Sequence, residues 1–442
     1  MFGTSGLRGP VGEAVTADLA LSVGRALGAE TDRVVVGQDP RESGELLLDA
    51  LAAGLRETGT NVLDLGLAAT PTVARAVGWE GCDAGVSVTA SHNPPPDNGL
   101  KFWQPSGQAF DAPRRERITE RVETADWTLE PWDRLGTRES ADAFERHVEA
   151  LVDAVDFGEQ EPPGVIVDVG NGAGGVTVEA LSRLGCRVET LNATPDGRFP
   201  GRPSEPTAEN CGSLATLVGA SEADLGVAHD GDADRTRAVA ADGSFLSGDV
   251  LLAVLAAAST SAGDRVAVPV DTSLAVEDFL ADRGVETVRT PVGDVHVAAA
   301  VAAGAAFGGE PSGAWIWPGE TLCPDGPLAA VELAELAAER PLGERAADVP
   351  TYPIRRDSFR TADKREAMDR VRESVAERYD DVSTMDGVRV DVGEGWFLVR
   401  ASGTQPLVRV TAEAREASRA DELLETARSL AVDAGAESEE EG

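Results

Sequence analysis

The segment HDGDADR places Asp230, Asp232 and Asp234 at alternate positions. Three carboxylates this close repel one another unless a divalent cation with oxygen ligands gathers them. A calcium EF-hand also begins D-x-D-x-D, but it requires Gly and Glu at the positions that hold Arg235 and Ala241 here. The spacing therefore indicates a Mg²⁺ site shared with a phosphate, and the alternative is a solvated acidic loop.

A second segment, VTASHNPPPDNGLKFW, combines a serine, a histidine and a lysine in a stretch rich in turn-forming residues. Ser91 lies among them, which suits a nucleophile exposed on a loop. Lys101 is one of two lysines in the chain, and when desolvated it can supply charge to a phosphate or move a proton. The alternative for this lysine is a surface amine. A Ser-His-Asp triad is not expected, because His92 is the immediate neighbour of the serine and is expected to order the loop.

Two further loops contain groups that bind phosphate or nucleotides. RASGTQPLVR offers the side chains of Arg400, Ser402, Thr404 and Arg409 and the backbone of Gly403. The alternative for these arginines is a solvated strand edge. DVGNGAGG contains G-x-G-x-x-G as Gly170, Gly172 and Gly175, with Glu189 near the end of the next strand. That layout is typical of a dinucleotide fold, so an NAD-binding protein is a competing hypothesis.

A repeated pattern predicts the elements that position these loops. An apolar strand, a small or acidic loop, a helix, a Gly turn and a second strand recur in copies that begin at residues 33–44, 164–175 and 265–276. Strands of β-branched residues followed by a helix and a Gly C-cap favour a parallel neighbour. We therefore expect three related α/β domains with mixed sheets. Residues 387–414 instead alternate as paired strands and precede a helix, which predicts a C-terminal α+β domain. The predicted domains are residues 1–155, 156–250, 251–345 and 346–442.

The charge of the chain limits its partners and its surroundings. There are 77 Asp and Glu residues against 39 Lys and Arg, and the formal net charge is −38. Such a surface repels nucleic acid and anionic membranes, so neither is an expected partner. Molar salt shortens the screening length to about 3 Å, and acidic residues spread over the whole chain favour a salt-adapted host over an ordinary acidic protein. The N-terminus lacks the apolar core of a secretory signal, so the expected location is the cytoplasm.

Five motifs, in order along nearly the whole chain, resemble those of the α-D-phosphohexomutase superfamily. They are FGTSGLRG, TASHNPPPDNGLK, DGDADR, GGEPSG and RASGTQPLVR. The resemblance implies three related α/β domains and a smaller α+β domain around one central cleft. It also implies a phosphoserine enzyme that moves a phosphoryl group between O6 and O1 of a sugar phosphate through a bisphosphate intermediate. Its expected small-molecule partner is a sugar phosphate, and its expected activator is a hexose 1,6-bisphosphate.

The resemblance also assigns roles to individual residues. Asp230, Asp232, Asp234 and the phosphate of Ser91 would hold Mg²⁺. Arg8, Lys101 and Arg235 would surround the transferring group, with Lys101 as a candidate acid or base. The residues expected to hold the sugar hydroxyls are Glu310 and Ser312, and those expected to hold the distal phosphate are Arg400, Ser402, Gly403, Thr404 and Arg409. The residues expected to support the serine loop are His92, Asn93 and Asn98.

Two features bear on the substrate. Many members of the superfamily have His immediately after the sugar loop's Gly, where this chain has Ala314, so a proton-transfer role for that His is absent or reassigned. DNGLKFW and PVGDVHV resemble phosphoglucosamine mutases more than phosphomannomutase/phosphoglucomutases. Glu310 is placed to meet the ammonium of an amino sugar, and the alternative is that it binds the hydroxyls at carbons 3 and 4. An inactive sugar-phosphate binder would need a lost nucleophile or metal loop, and both are present.

Overall fold

Four sheets follow one another along the chain. A computed structural model of the protein describes residues 6–361, 363–376, 378–402 and 407–438. Within these ranges the three copies of the repeated pattern each form a parallel β-α-β unit, as their sequences predict. None of the described helices is long and apolar enough to cross a membrane.

The first sheet carries the serine loop. Its elements are β1 (Leu7–Pro10), α1 (Ala17–Gly28), β2 (Arg33–Gln38), α2 (Gly44–Glu57), β3 (Asn61–Leu67), α3 (Thr70–Trp79), β4 (Ala84–Val88), β5 (Asp97–Trp103), α4 (Ala112–Thr124) and β6 (Arg138–Ser140). The strand order is β1-β5-β4-β2-β3-β6. Strands β2, β3, β4 and β6 are parallel, whereas β5 runs antiparallel to both β4 and β1. The segment between β4 and β5, which contains Ser91, is therefore the loop of a hairpin.

The second sheet carries the acidic loop. Its elements are α5 (Phe144–Ala154), β7 (Gly164–Asp168), α6 (Gly175–Arg183), β8 (Arg187–Leu191), α7 (Gly212–Gly219), β9 (Leu225–His229) and β10 (Thr236–Ala240). The strand order is β10-β9-β7-β8. Strands β8, β7 and β9 are parallel, and β10 is antiparallel to β9. The three aspartates lie in the hairpin loop between β9 and β10.

The third sheet repeats this arrangement. Its elements are α8 (Gly248–Ser259), β11 (Arg265–Pro269), α9 (Leu274–Ala281), β12 (Glu286–Thr290), α10 (Asp294–Ala302), β13 (Phe307–Glu310), β14 (Ala314–Ile316), α11 (Gly326–Glu339) and α12 (Leu342–Ala347). The order is β12-β11-β13-β14, with β14 as the antiparallel edge. One hydrophobic cluster contains Val165 and Leu225 of the second sheet together with Val266 and Phe307 of the third. The shared core fixes the two sheets relative to each other, and α8 spans the predicted domain boundary between residues 250 and 251.

The fourth sheet is antiparallel. Its elements are β15 (Ile354–Arg360), α13 (Lys364–Ala376), β16 (Val382–Ser383), β17 (Val388–Asp391), β18 (Gly395–Ala401), β19 (Leu407–Ala414), α14 (Ala417–Asp433) and β20 (Glu437–Ser438). The strand order is β16-β17-β18-β19-β15-β20. Apolar residues on one face of the sheet pack against α13 and α14. Ser402 follows β18, whereas Gly403 and Thr404 of the predicted phosphate loop lie outside the described residues.

Candidate active site

Ser91 lies in the hairpin loop between β4 and β5, and its hydroxyl points at the acidic loop of the second sheet. Its Oγ donates to Oδ2 of Asp230 at 2.6 Å and lies 3.5 Å from Oδ1 of Asp234. The backbone of Ser91 has φ of 53°, a left-handed conformation that non-glycine residues seldom adopt. Such strain occurs where the surrounding structure determines a functional geometry. Ser91 is therefore held in place by its neighbours and not by local preference.

Arg41 is the main support of this loop, although none of the sequence motifs includes it. Its guanidinium donates to the carbonyls of Ser91, Asn93, Pro94 and Asp97 at 2.7–2.8 Å. Its Nε is paired with Asp39 at 2.9 Å, and both side chains are fully buried. A signal for this residue exists in the sequence, since QDPR follows the carboxyl end of a parallel strand, where functional side chains gather.

The three aspartates form a group that fits a divalent cation. One ligand oxygen from each of Asp230, Asp232 and Asp234 lies within 4.8 Å of the others, and all three side chains are buried. Oδ1 of Asp232 is buried and has no hydrogen-bond partner among the described residues. Burial, together with the charges of the other two aspartates, raises the pKa of Asp230 well above its ordinary value. Mg²⁺ prefers such oxygen ligands and would remove this repulsion, so the donor set fits it.

Lys101 and Thr70 hold the acidic loop against the first sheet. Lys101 lies on β5, and its Nζ donates to Asp232 at 2.8 Å and also to Asp234. Burial alone would lower the pKa of Lys101, but the charges of the two aspartates outweigh it and raise the pKa. The hydroxyl of Thr70 donates to Oδ2 of Asp232 at 2.7 Å, and its backbone N–H donates to the carbonyl of the same residue. Lys101 is therefore a buried cation within the acidic group and not a surface amine.

The glycine-rich loop after β7 makes contacts that explain its composition without a nucleotide. A Cβ at Gly172 would lie 2.7 Å from the carbonyl oxygen of Gly231, so glycine allows the acidic loop to approach. At Gly170, a Cβ would lie 2.7 Å from the guanidinium of Arg202. Glu189, the expected ribose ligand of the competing hypothesis, is exposed on the edge strand β8. These glycines therefore support the acidic loop.

Ser204 joins the serine loop to the acidic loop. Its hydroxyl donates to the carbonyl of Ser91 and accepts from the backbone N–H of Gly231, both at 2.9 Å. Arg202, two residues earlier, donates to Asp168 at 2.7 Å and to the carbonyl of His229 at 2.6 Å. Neither residue lies in a motif recognisable from sequence, because the segment between β8 and α7 has no regular period.

A cavity of about 510 Å³ opens beside the Ser91 loop. Its lining includes six of the residues expected from the sequence: Arg8, His92, Arg235, Glu310, Ser312 and Arg400. Five other charged residues also line it: Asp249, Asp271, Asp294, Arg356 and Asp386. The cavity thus brings together residues from all four sheets and contains four arginines among five carboxylates. Its composition suits a ligand with both phosphate groups, which arginines bind, and hydroxyl or ammonium groups, which carboxylates bind.

Glu310 ends β13 at the wall of this cavity. Its Oε1 accepts from the backbone N–H of Gly293 at 2.7 Å, and its Oε2 accepts from the hydroxyl of Ser312 at 3.3 Å. Burial, with the charge of Asp294, raises the pKa of Glu310 to about 7 from an ordinary 4.5. Glu310 and Ser312, the two residues expected to bind the sugar, are therefore adjacent and hydrogen-bonded to each other.

Arg400 connects the fourth sheet to the third across the cavity. Its guanidinium donates to Asp386 at 3.1 Å, and Asp386 also accepts from the backbone N–H of Val292 at 3.1 Å. Ser402 is buried, and its carbonyl accepts from Nζ of Lys364 at 2.7 Å. Arg409 pairs with Arg400 on the neighbouring strand, but it is exposed and is not among the residues that line the cavity.

The three supporting residues differ in what they contact. Asn93 accepts from Arg8 at 3.2 Å and donates to Asp97, and Asn98 donates to the hydroxyl of Ser43. His92 lines the cavity, and its Nδ1 is buried without a hydrogen-bond partner among the described residues. Burial, with the neighbouring positive charges, lowers the pKa of His92, which keeps the imidazole neutral. His92 therefore faces the ligand space as well as belonging to the loop.

Ala314, which stands where many superfamily members have His, is buried on β14. Its backbone pairs with that of Arg235, so this position connects the third sheet to the end of the acidic loop. The next residue, Trp315, is fully buried and donates its indole N–H to the carbonyl of Thr236 at 3.1 Å. The position is therefore part of the packing between two sheets.

Comparison with known protein families identifies the relationship. The four phosphoglucomutase/phosphomannomutase domain models match in order: alpha/beta/alpha domain I at residues 1–129, domain II at 145–243, domain III at 247–352 and the C-terminal domain at 358–430. The chain belongs to the phosphoglucomutase/phosphomannomutase family. This membership confirms the predicted phosphohexomutase resemblance, the fold class and the assignment as an intramolecular phosphotransferase. The predicted domain boundaries stay predictions.

Individual relatives agree with this membership. A protein of Methanopyrus kandleri named "Probable phosphoglucosamine mutase" is 46% identical over 433 residues, which cover 96% of this chain and 95% of that protein. A phosphoglucomutase/phosphomannomutase family protein from Burkholderia thailandensis has a similar structure, with a TM-score of 0.87 and 28% identity over 99% of this chain and 100% of that one. Aspergillus fumigatus N-acetylphosphoglucosamine mutase, solved with GlcNAc-6P and magnesium, covers 98% of this chain and 96% of its own at 18% identity, with a TM-score of 0.62. At that identity the likeness supports the fold alone.

Proposed function

We propose that this enzyme interconverts glucosamine 6-phosphate and glucosamine 1-phosphate through a phosphoserine at Ser91. The observation that carries the reaction is the 2.6 Å hydrogen bond from Ser91 Oγ to Asp230, within the buried acidic group beside the arginine-lined cavity. The choice of an amino sugar is supported by the Methanopyrus kandleri relative at 46% identity, whose name gives glucosamine as its sugar.

The reaction consists of two phosphoryl transfers. In the first, the bond between phosphorus and Ser91 Oγ breaks while the oxygen at carbon 1 of the sugar 6-phosphate bonds to the same phosphorus, and the proton of that hydroxyl passes to the released Ser91 Oγ. In the second, after the bisphosphate has turned over in the cavity, the bond between phosphorus and the oxygen at carbon 6 breaks while that phosphorus bonds to Ser91 Oγ, and the proton of the serine hydroxyl passes to the oxygen left at carbon 6. A hexose 1,6-bisphosphate that enters the cavity can phosphorylate Ser91 by this second transfer, which is why we propose it as the activator.

The groups around Ser91 hold the charge of the transferring phosphate. Asp230, Asp232 and Asp234, with the phosphate of Ser91, would bind Mg²⁺, which when bound neutralises charge on the phosphoryl oxygens. Lys101 donates to two of these carboxylates and adds a fixed positive charge. Positioning and electrostatic stabilisation of this kind account for most catalysis of phosphoryl transfer.

Residues on the cavity wall bind the substrate and exclude water from it. Arg8 and Arg235 line the cavity next to Ser91, and the neutral imidazole of His92 has a nitrogen that can accept a hydrogen bond from a sugar hydroxyl. Glu310 and Ser312 hold sugar hydroxyls. The groups proposed to hold the distal phosphate are Arg356, Arg400, Ser402, Gly403, Thr404 and Arg409, because guanidinium groups, hydroxyls and backbone N–H groups suit phosphate oxygens.

We also propose that the enzyme works in a salt-rich cytoplasm. The net charge of −38 destabilises a compact chain in dilute buffer, and salt removes this repulsion. Activity assays in molar KCl are therefore the appropriate conditions.

A substrate panel tests the proposed reaction. In one high-salt buffer, kcat/KM is measured for glucosamine, glucose and mannose phosphates, and we expect the highest value for glucosamine phosphate. Intact-mass measurement should find a phosphate-sized shift in part of the wild-type protein that is absent from Ser91→Ala. Full mutase activity in Ser91→Ala would refute the phosphoserine mechanism, whereas a clear preference for mannose or glucose phosphates would refute only the choice of sugar.

A further inference from the structure

Asp271 is placed just beyond the carboxyl end of β11, where the chain turns into α9. It lines the cavity, and its side chain is exposed to that space. Within the described ranges of the chain, no lysine or arginine forms an ion pair with this carboxylate, and the hydrogen-bond donor near it is its own backbone N–H. Asp271 is therefore a carboxylate on the cavity wall that forms no ion pair with a described side chain.

Other carboxylates of the cavity already have partners. Asp386 is paired with Arg400 at 3.1 Å. Both oxygens of Glu310 accept hydrogen bonds, and Asp249 accepts a backbone N–H at 2.9 Å. These contacts use part of the accepting capacity of those groups in the free enzyme, whereas no described side chain donates to Asp271.

An unpartnered carboxylate at this position works against a purely anionic ligand. Asp271 lies close enough to Arg356 and Arg400 for their charges to lower its pKa, but burial has the larger effect and raises the pKa overall. A phosphate held by the same arginines would be repelled by the aspartate. The arrangement becomes more favourable when the ligand brings a positive charge to the carboxylate, as the ammonium of an amino sugar phosphate does.

We propose that Asp271 binds the ammonium at carbon 2 of the amino sugar and is the residue that selects glucosamine phosphates over glucose phosphates. This inference rests on the proposed function and deepens it. Glu310 then binds the hydroxyls at carbons 3 and 4, which was the alternative left open by the sequence. A charge-assisted hydrogen bond is about twice as strong as a neutral one, which corresponds to a preference of about 5- to 30-fold in a partly desolvated site.

The test is the ratio of kcat/KM for glucosamine 6-phosphate to that for glucose 6-phosphate, measured in one high-salt buffer. Asp271→Asn keeps the shape of the side chain and removes its charge. We expect the ratio to fall about 5- to 30-fold, because turnover of the amino sugar becomes less efficient while that of glucose 6-phosphate is unchanged or improves. The same fall is expected in the ratio of dissociation constants measured by calorimetry with Ser91→Ala and Ser91→Ala/Asp271→Asn, where no turnover occurs.

Asp386→Asn is the matched control, because it removes a charge from the same cavity at a carboxylate already paired with Arg400. We expect it to lower kcat/KM for both sugars alike and to leave their ratio within about twofold. If the wild type prefers glucosamine phosphate and Asp271→Asn keeps that ratio, or lowers both values equally, the role of Asp271 is refuted while the proposed function stands. A wild type that prefers glucose phosphate refutes the proposed sugar and the role of Asp271 together, which makes the two failures distinguishable.

Discussion

Replacement of Arg41 by Lys tests whether the geometry of the Ser91 loop depends on one buried side chain. The guanidinium of Arg41 donates to the carbonyls of Ser91, Asn93, Pro94 and Asp97 and is paired with Asp39. An ammonium has three N–H donors, and one of them must remain on the buried carboxylate. At least two of the four carbonyls therefore lose the donor that Arg41 supplies, although Ser91 keeps the hydroxyl of Ser204 and Pro94 keeps the N–H of Asp97.

The size of the effect follows from this count. A hydrogen bond from a charged donor contributes about 1.5–3 kcal/mol, so the loss of two lowers the free energy of unfolding by up to about 6 kcal/mol, and by less where a second donor remains. Arg41 is not among the residues that line the cavity, so substrate binding should change little. A displacement of the Ser91 hydroxyl by about 1 Å, however, can lower the rate of phosphoryl transfer by about 100-fold.

Steady-state kinetics and thermal melts in molar KCl measure both effects. We expect kcat of Arg41→Lys to fall about 100-fold while KM for the sugar phosphate stays within about threefold. Arg33→Lys is the control, because Arg33 begins β2 and donates to a single carbonyl, that of Glu80, at 2.8 Å, a bond that an ammonium can keep. Unchanged kcat in Arg41→Lys, or a loss that lies mainly in KM, would refute the proposed role of Arg41.

Three further predictions concern the metal, the pH and the salt. Chelation should stop turnover. Mg²⁺ at 100 times its dissociation constant should raise the free energy of unfolding of the wild type by about 2.7 kcal/mol and should not stabilise Asp232→Asn. If Mg²⁺ raised the melting temperatures of the two proteins equally, the assignment of Asp232 as a ligand would be refuted. The pKa of Glu310 is raised from 4.5 to about 7 in the folded protein, so the unfolded chain ionises first. The free energy of unfolding therefore falls as the pH rises from about 4.5 to about 7. Between pH 5 and pH 8, the free energy of unfolding of Glu310→Gln should therefore rise by up to about 3 kcal/mol relative to that of the wild type, as measured by thermal melts. A difference in stability that is the same at both pH values would refute this prediction. The melting temperature of the wild type should rise steeply from dilute buffer to molar KCl, because salt screens the repulsion from a net charge of −38. A melting temperature that does not change with salt would favour the alternative, an ordinary acidic protein.

The sequence predicts the parts of the site that are contiguous along the chain. Ser91, Lys101 and the three aspartates lie in two short segments, and their residue types are unusual enough to suggest the chemistry before any folding is considered. The β-α-β pattern predicts the first three sheets for a similar reason, because each unit is local and has a clear period. The family models confirm the fold class that this local pattern predicts.

The contacts that unite these segments could not be predicted in this way. Thr70 and Ser204 bind the acidic loop or the serine loop from sequence separations of more than 100 residues. Thr and Ser are common residues, and neither lies in a periodic pattern that distinguishes it from others. The carboxylates Asp249 and Asp386 were missed because acidic residues are abundant throughout this chain, so their type carried little information.

Lysine, in contrast to the acidic residues, is rare in this chain, so its presence at a position is informative. Only two of the 39 Lys and Arg residues are lysines, and each ammonium contacts a residue of the proposed active site: Lys101 contacts Asp232, and Lys364 contacts the carbonyl of Ser402. Lys364 is the first residue of α13, where a positive charge is unfavourable against the helix dipole by about 0.3–1 kcal/mol. Its contact with Ser402 gives a reason for a cation at that position. A compact ammonium on a flexible stem reaches an isolated carbonyl or carboxylate more readily than a planar guanidinium does. The scarcity that drew attention to Lys101 therefore also points to Lys364 as a residue that contacts the segment proposed to bind the distal phosphate.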